Sequence, residues 1–316
     1  MSYKKIRLSH ISLNALEFGH IYQYPIYYKE NGKVFTILID KEKPFDKIVQ
    51  DKIDSYNIHD VFVKIEDHPQ YEIDAQNYLK KIMDKKSVPI DLKSTILHEM
   101  ASDIMNDLIG GELSSKKIQQ ASDIVTTSVD LLLEDSKAIK AMLKVTSHDY
   151  YTYTHSVNVS TYALGFGTYL KLPRAKIELL GMAGIMHDLG KKQIPSEIIN
   201  KNGKLSDEEF ELIKNHPTYG VDILKKLDEH NKNLLDVIEQ HHEKIDGTGY
   251  PHGLKGNEIN IFAQIMSIVD IFDALTTKRS YKDALNSFEA FDIMNKHMKD
   301  ELNPKLLRKF ITFMSL

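Results

Sequence analysis

The dipeptide His187-Asp188 places an imidazole beside a carboxylate at the end of an apolar run, Ile177 to Met186. The run predicts a buried helix, and a buried charged pair is costly unless a partner satisfies it. A divalent metal ion is such a partner, because imidazole and carboxylate together bind zinc, iron or manganese. The dipeptide alone is weak support for a metal site, so further ligands must come from elsewhere in the chain.

Three more histidines have positions that suit metal binding. His216 precedes Pro217, where a helix break would also let it bond the last helical carbonyl groups. His241 and His242 are adjacent, and on a regular helix their side chains would point about 100° apart. They can converge only where the helix ends, and the glycines and proline of 244–251 predict a turn there.

Two aspartates lie in an apolar segment, 259–276, that predicts a buried helix. Asp270 sits in its middle, and a buried aspartate needs a cation or another partner. Asp273, one turn later, is expected to support the site or to bind a backbone group. His155 begins a further helix; taken alone, it would more often be a core or capping residue.

Seven side chains therefore form the candidate ligand set: His155, His187, Asp188, His216, His241, His242 and Asp270. Seven nitrogen and oxygen ligands are too many for one tetrahedral ion and suit two octahedral ions that share a carboxylate. Asp188 is the expected bridge. Two ions about 3.5–4 Å apart would activate water and stabilise an in-line displacement at phosphorus.

The elements that must position these residues are predicted to be mainly α-helical. We expect a small α+β regulatory or interaction domain over 1–70, a helical connector over 71–135 and an all-helical catalytic domain over 136–316. Asn31-Gly32 predicts a hairpin between two strands of the first domain. Ser206 and Glu209 predict a capping box, which opens a helix that we expect to end at His216.

The amino-acid composition limits the classes of protein to which this chain can belong. Cysteine is absent, which excludes disulfides and thiolate ligands. The formal net charge of -4 argues against a nucleic-acid binder, so an anionic substrate would need locally placed basic residues. The sequence has no apolar run of about 18 residues, so no membrane span is predicted. No apolar segment follows the first residues, so no secretory signal is predicted. We therefore expect a cytoplasmic protein.

Together the motifs resemble the HD-GYP subfamily of the HD phosphohydrolase superfamily, over about 148–300. The resemblance is carried by the His-Asp-Leu-Gly-Lys run 187–191, His216, the segment 241–251 that ends in Gly-Tyr-Pro, and 270–282. It implies an all-helical fold and bacterial second-messenger signalling. The implied reaction is hydrolysis of cyclic di-GMP by a metal-bridging hydroxide to linear pGpG, with GMP as a further candidate product.

The resemblance also distributes the ligands between two ions, typically iron or manganese. One would be held by His155, His187, Asp188 and Asp270, and the other by Asp188, His216, His241 and His242. Some family members bind a third ion through a glutamate one turn before the first histidine. Tyr151 stands there in this chain, which argues against a third ion unless a water or another carboxylate substitutes.

Four residues are implied to contact substrate. Lys191 matches a lysine that contacts the scissile phosphate, and with Asp188 it forms the expected catalytic pair. Arg279 and Lys282 match phosphate-holding residues, although their pattern alone favours a solvated helix end. Tyr250 of the Gly-Tyr-Pro loop is expected to stack on a guanine or to contact partner signalling domains.

Two alternative functions are also compatible with these motifs. One is a non-catalytic cyclic di-GMP receptor that signals through residues 1–147. The other is hydrolysis of a different nucleotide, such as 3′,3′-cGAMP. The N-terminal region and the connector are candidate homodimer contacts.

Overall fold

The computed structural model describes residues 7–30, 34–111, 113–146, 152–201, 203–277 and 284–316. The chain divides into two compact units, Met1–Asp103 and Ile104–Leu316. The division falls inside the segment 71–135 that was predicted as a connector. In the described part of the chain, no helix combines the length and the apolar content that crossing a bilayer requires.

The first unit contains a four-stranded antiparallel sheet with helices. Its elements are β1 (Leu8–Ile11), β2 (Ile26–Glu30), β3 (Val34–Ile39), α1 (Lys47–Tyr56), β4 (Val61–Lys64) and α2 (His68–Met83), followed by α3 (Ile90–Gly110), which ends in the second unit. The strand order is β1-β4-β2-β3. Strands β2 and β3 pair antiparallel up to Glu30 and Val34; the predicted hairpin turn lies outside the described residues. The small α+β N-terminal domain is confirmed.

The second unit is helical over its described residues, with one isolated bridge between Asp246 and Lys255. Its α-helices are α4 (Ser115–Glu134), α5 (Ala138–Val145), α6 (Thr152–Tyr169), α7 (Arg174–Met186), α8 (Ser196–Ile199), α9 (Asp207–Ile213), α10 (His216–Lys226), α11 (Lys232–Gln240), α12 (Ile261–Thr276), α13 (Ser287–Lys296) and α14 (Pro304–Met314). Short 3-10 helices cover Leu189–Gln193 and Gly256–Glu258. The predicted mainly α fold with an all-helical C-terminal part is confirmed.

Two glycines allow the elements that carry the site to approach one another closely. A Cβ at Gly184 of α7 would lie 2.4 Å from Ser160 Cα of α6, so only glycine permits this contact between the helices. A Cβ at Gly190 would lie 1.9 Å from His216 O, so the 3-10 turn after α7 can rest directly on the start of α10. These contacts bring the His187-Asp188 segment next to α6 and α10.

The expectation that one helix runs from the capping box to His216 is wrong. The capping box of Ser206 and Glu209 is present, but α9 ends at Ile213 and His216 begins α10. The physical reason is that Pro217 occupies the first turn of α10, where the missing N–H costs nothing because that turn leaves its N–H groups unpaired. His216 therefore lies at a helix start, with its side chain directed towards the C-terminal ends of α7 and α11.

Candidate metal centre

All seven candidate ligands lie together in the second unit; we call this set (His155, His187, Asp188, His216, His241, His242 and Asp270) the His/Asp cluster. Most of its members lie at helix ends: His155 in the first turn of α6, His187 and His241 at the C-caps of α7 and α11, and His216 at the start of α10. Asp270 comes from the middle of the buried helix α12. Residues separated by up to 115 positions thus meet at one place.

Backbone carbonyls fix the tautomer of three histidines. The Nδ1 atoms of His187, His216 and His241 lie 2.8, 2.8 and 2.6 Å from the carbonyl oxygens three residues earlier in the chain. A carbonyl oxygen can only accept, so each Nδ1 carries the proton and donates it. Each Nε2 then keeps a free lone pair directed into the cluster, which is the arrangement that a metal-binding histidine needs.

Asp188 has one oxygen on each side of the cluster. Its Oδ1 lies 3.4 Å from His216 Nε2, whereas its Oδ2 lies 3.5 Å from His187 Nε2 and 3.7 Å from His155 Nε2. Asp270 Oδ1 is 3.1 Å from His155 Nε2 and 3.9 Å from His187 Nε2. A carboxylate whose oxygens face two separate groups of imidazoles can bridge two ions.

The donor atoms form three overlapping groups, within each of which all ligand atoms lie within 4.8 Å of one another. These groups are Asp188 with His216, His241 and His242; His155 with His187 and Asp188; and His187 with His241 and Asp270. The first group contains the four residues that the resemblance assigns to one ion. The other two include the remaining residues, His155, His187 and Asp270.

The unsatisfied atoms of the cluster fit divalent cations. His187 Nε2 and Asp188 Oδ1 are buried and have no hydrogen-bond partner. His216 Nε2 and His241 Nε2 lie 3.3 Å apart, and with both Nδ1 atoms protonated their lone pairs face each other. Buried acceptors without donors are destabilising, and a cation between them would remove that cost. The residues present therefore fit divalent metal binding, through nitrogen and oxygen donors only.

Burial keeps three of the histidines, His216, His241 and His242, neutral, whereas Asp188 and Asp270 stay ionised, as metal ligands require. Burial lowers the pKa of His216 to about 3 and that of His242 to about 4. Burial alone would raise the pKa of Asp188, but Lys191 and the neighbouring histidines hold it well below its usual range. Burial would likewise raise the pKa of Asp270, and the hydrogen bond with His155 instead lowers it.

His155 differs from the other histidines because a carboxylate holds its Nδ1. Asp273 Oδ2 lies 2.7 Å from His155 Nδ1, and Asp273 is fully buried on α12. Thr277 Oγ1 donates to the other oxygen of Asp273 at 3.0 Å. Burial would lower the pKa of His155, but its bonds to Asp270 and Asp273 raise it to about 10. Asp273 therefore orients the ring and leaves Nε2 facing the cluster.

Replacing Asp273 with alanine should weaken metal binding about 10- to 100-fold, because His155 loses the carboxylate that orients it. Competition with a chromophoric chelator measures the change. Asp273→Asn should recover part of the loss, since its amide oxygen can still accept the Nδ1 proton. Thr276→Val is the control, because the Thr276 hydroxyl bonds the Phe272 carbonyl. Unchanged affinity in the alanine variant would contradict the orienting role.

Two adjacent lysines after the His-Asp pair have different partners. Lys191 Nζ lies 2.6 Å from Asp188 Oδ2, at the edge of the cluster. Lys192 Nζ instead donates to Leu108 O at 3.0 Å and Ile109 O at 3.1 Å, at the end of α3. Carbonyls at a helix C-terminus lack helical partners, so the Lys192 ammonium both satisfies them and anchors the turn that holds Lys191.

The Gly-Tyr-Pro loop places Tyr250 against the cluster. Its ring centroid lies 4.7 Å from that of His242, and burial raises the pKa of its hydroxyl, so the phenol stays neutral.

Glu243, which sequence reasoning left without a role, accepts hydrogen bonds from the backbone N–H groups of His252 at 2.7 Å and Leu254 at 3.0 Å. An acidic residue directly before a Gly-rich loop was the available signal in the sequence. Tyr151, Arg279 and Lys282 lie outside the described residues.

The HD domain family matches residues 120–306, which is more than half of the chain and includes the whole His/Asp cluster. This chain belongs to the HD domain family. The family recognised from the sequence motifs is therefore confirmed.

Curated relatives of this HD domain protein act on cyclic dinucleotides according to their names. The cyclic di-GMP phosphodiesterase PA4108 of Pseudomonas aeruginosa is 36% identical over 191 residues, which cover 60% of this chain and 46% of the relative. The 3′3′-cGAMP-specific phosphodiesterase 3 of Vibrio cholerae is 30% identical over 242 residues, 75% of this chain and 52% of the relative. The chain thus spans about half the length of these relatives.

A solved structure has the same fold over nearly the whole chain. It is that of Bd1817, a HDG"Y"P protein from Bdellovibrio bacteriovorus, with a TM-score of 0.74 and 18% identity. The alignment covers 98% of this chain and 100% of Bd1817. The likeness therefore extends beyond the HD domain to the N-terminal unit.

Proposed function

We propose that this HD domain protein is a metal-dependent phosphodiesterase that hydrolyses cyclic di-GMP to linear pGpG, with GMP as a further product to be tested. The observation that carries the proposal is Asp188, whose two oxygens face separate groups of imidazoles while Lys191 stands beside it. The names of several relatives that share the domain support cyclic di-GMP as substrate.

The cluster would hold two divalent ions, for which we propose iron or manganese, distributed as the family resemblance implies. When bound, such ions supply activated water and stabilise the charge that develops on phosphoryl oxygens. The remaining chemistry belongs to the chain. Asp188 would position both ions, and the carbonyl-bonded histidines would keep their Nε2 atoms directed at them without reorganisation.

Lys191 would contact the scissile phosphate. Its ammonium group is partly exposed and lies at the edge of the cluster, so a phosphate placed there would approach it directly. A fixed positive charge at this point stabilises the transition state, in which the phosphoryl oxygens gain negative charge. We further propose that Arg279 and Lys282 hold substrate phosphate, that Tyr250 contacts a guanine or a partner domain, and that homodimer contacts lie in the N-terminal or connector region.

A direct assay tests the proposed function. Protein reconstituted under anaerobic conditions with Fe²⁺ or Mn²⁺ should convert cyclic di-GMP to pGpG. Chromatography of the reaction mixture measures the loss of substrate and the formation of product. A parallel reaction with 3′,3′-cGAMP tests the second candidate substrate, which is favoured by relatives named as 3′3′-cGAMP-specific phosphodiesterases. Tight binding of cyclic di-GMP without turnover by fully metal-loaded protein would instead indicate a receptor and would overturn the proposal.

A further inference from the structure

Phe210 lies on α9 and is 44% exposed. Its ring centroid is 6.4 Å from that of Tyr250, and the ring planes stand at 81°. The Tyr250 ring in turn lies 4.7 Å from His242 and 6.3 Å from His216. A series of ring contacts thus connects the candidate metal ligands to an aromatic surface that faces solvent.

Exposure alone would not single out Phe210, because isolated exposed apolar residues are common on protein surfaces. The described part of the chain has others, including Ile48 and Phe288, at 78% and 81% exposed. Phe210 differs from them in its ring contact with a residue of the Gly-Tyr-Pro loop. Tyr250 itself is half-buried against His242, so Phe210 supplies the more open aromatic face.

Lys214 adds a positive charge to the same surface. It follows Phe210 by four residues, one helical turn, and its Nζ lies 5.1 Å from the ring centroid. Glu211 Oε1 pairs with Lys214 Nζ at 2.6 Å and partly offsets that charge. An aromatic face beside a lysine is the combination with which proteins bind single-stranded nucleotides, the ring stacking on a base and the cation attracting phosphate.

We propose that Phe210 stacks on one guanine base of the cyclic dinucleotide whose phosphate lies at the His/Asp cluster. The inference rests on the proposed function and adds a binding residue to it. A base is joined to its phosphate through ribose, so it must lie a short distance from the cluster, where the ring contacts lead to Phe210. Stacking uses the face of the base, not its hydrogen-bonding edge, so Phe210 contributes affinity for either purine.

Phe210→Ala should raise KM for cyclic di-GMP about tenfold, in line with the loss of one stacked base. Because stacking is equal in the ground and transition states, kcat should stay within about twofold of wild type. Leu212→Ala is the matched control: Leu212 is also 44% exposed on α9 and lies about 200° around the helix from Phe210.

A second variant measures binding without turnover. The chain contains no tryptophan, so Phe210→Trp introduces a single indole whose emission a stacked guanine quenches. Titration of metal-loaded F210W with GMP, which has no phosphodiester bond to hydrolyse, should quench that emission. The same titration of Leu212→Trp should leave its emission unchanged.

The outcomes separate the stacking residue from the proposed function. An unchanged KM in F210A, together with no quenching in F210W, would overturn the role of Phe210 even if cyclic di-GMP is hydrolysed. An equal rise in KM in Leu212→Ala, or equal quenching in Leu212→Trp, would overturn it too, because the effect would then belong to helix α9 as a whole. Quenching of F210W with no hydrolysis of any cyclic dinucleotide would support the stacking surface and refute the phosphodiesterase.

Discussion

We expect Asp188→Ala to lower the proposed hydrolysis of cyclic di-GMP by more than about a thousandfold and to abolish stable binding of both proposed metal ions. The reason is that Asp188 lies between two groups of imidazoles, with Oδ1 towards His216 and Oδ2 towards His155 and His187. Its loss would therefore remove a ligand from each ion. Metal analysis of the purified variant and a turnover assay measure the two effects.

The helical fold should survive this substitution, because α6, α7 and α12 pack through apolar side chains such as Phe166, Leu180 and Phe272. Far-UV circular dichroism tests that expectation. Asp292→Ala is the matched control, since it removes an exposed carboxylate from an ion pair with Lys296, and exposed pairs contribute little to stability. Full metal content in Asp188→Ala would contradict the bridging role.

Lys191→Met should lower kcat about 100- to 1,000-fold while the metal content remains that of the wild type. Lys191 lies beside the cluster but is not one of its donors. Its removal should therefore spare metal binding and take away the positive charge that we propose contacts the substrate phosphate. Steady-state kinetics combined with metal analysis distinguish this result from that of Asp188→Ala.

The neighbouring lysine provides the control for position and charge. Lys192→Met removes an ammonium that bonds carbonyls at the end of α3, so it should lower the thermal midpoint and retain most of the kcat. The opposite pattern, with Lys191→Met fully active and Lys192→Met inactive, would show that the role assigned to Lys191 belongs to Lys192.

Local structure could be predicted from the sequence where a side chain controls its own backbone. Ser206 and Glu209 form the capping box of α9, and the apolar run before His187 is the buried helix α7. His216 shows where the same reasoning failed. Proline disrupts the interior of a helix but is favourable in its first turn. The residues around Pro217 therefore fit a helix end as well as a helix start.

The site could be predicted as a set of residue types but not as a geometry. A buried aspartate on an apolar helix demands a partner, which made Asp270 a candidate, yet nothing in its own segment identifies His155 as that partner. The distribution of ligands between two ions came from family resemblance. Phe210 was not predicted, because an exposed aromatic residue on a short polar helix has no distinguishing pattern until its contact with Tyr250 is known.

The most direct test of the central claim is an anomalous-difference map from crystals of the metal-loaded protein, recorded on both sides of the iron and manganese absorption edges. We expect two peaks about 3.5–4 Å apart. One should lie next to Asp188 Oδ1 with His216, His241 and His242, and the other next to Asp188 Oδ2 with His155, His187 and Asp270. No peak among these residues, or a single peak that Asp188 does not contact, would contradict the two-ion site.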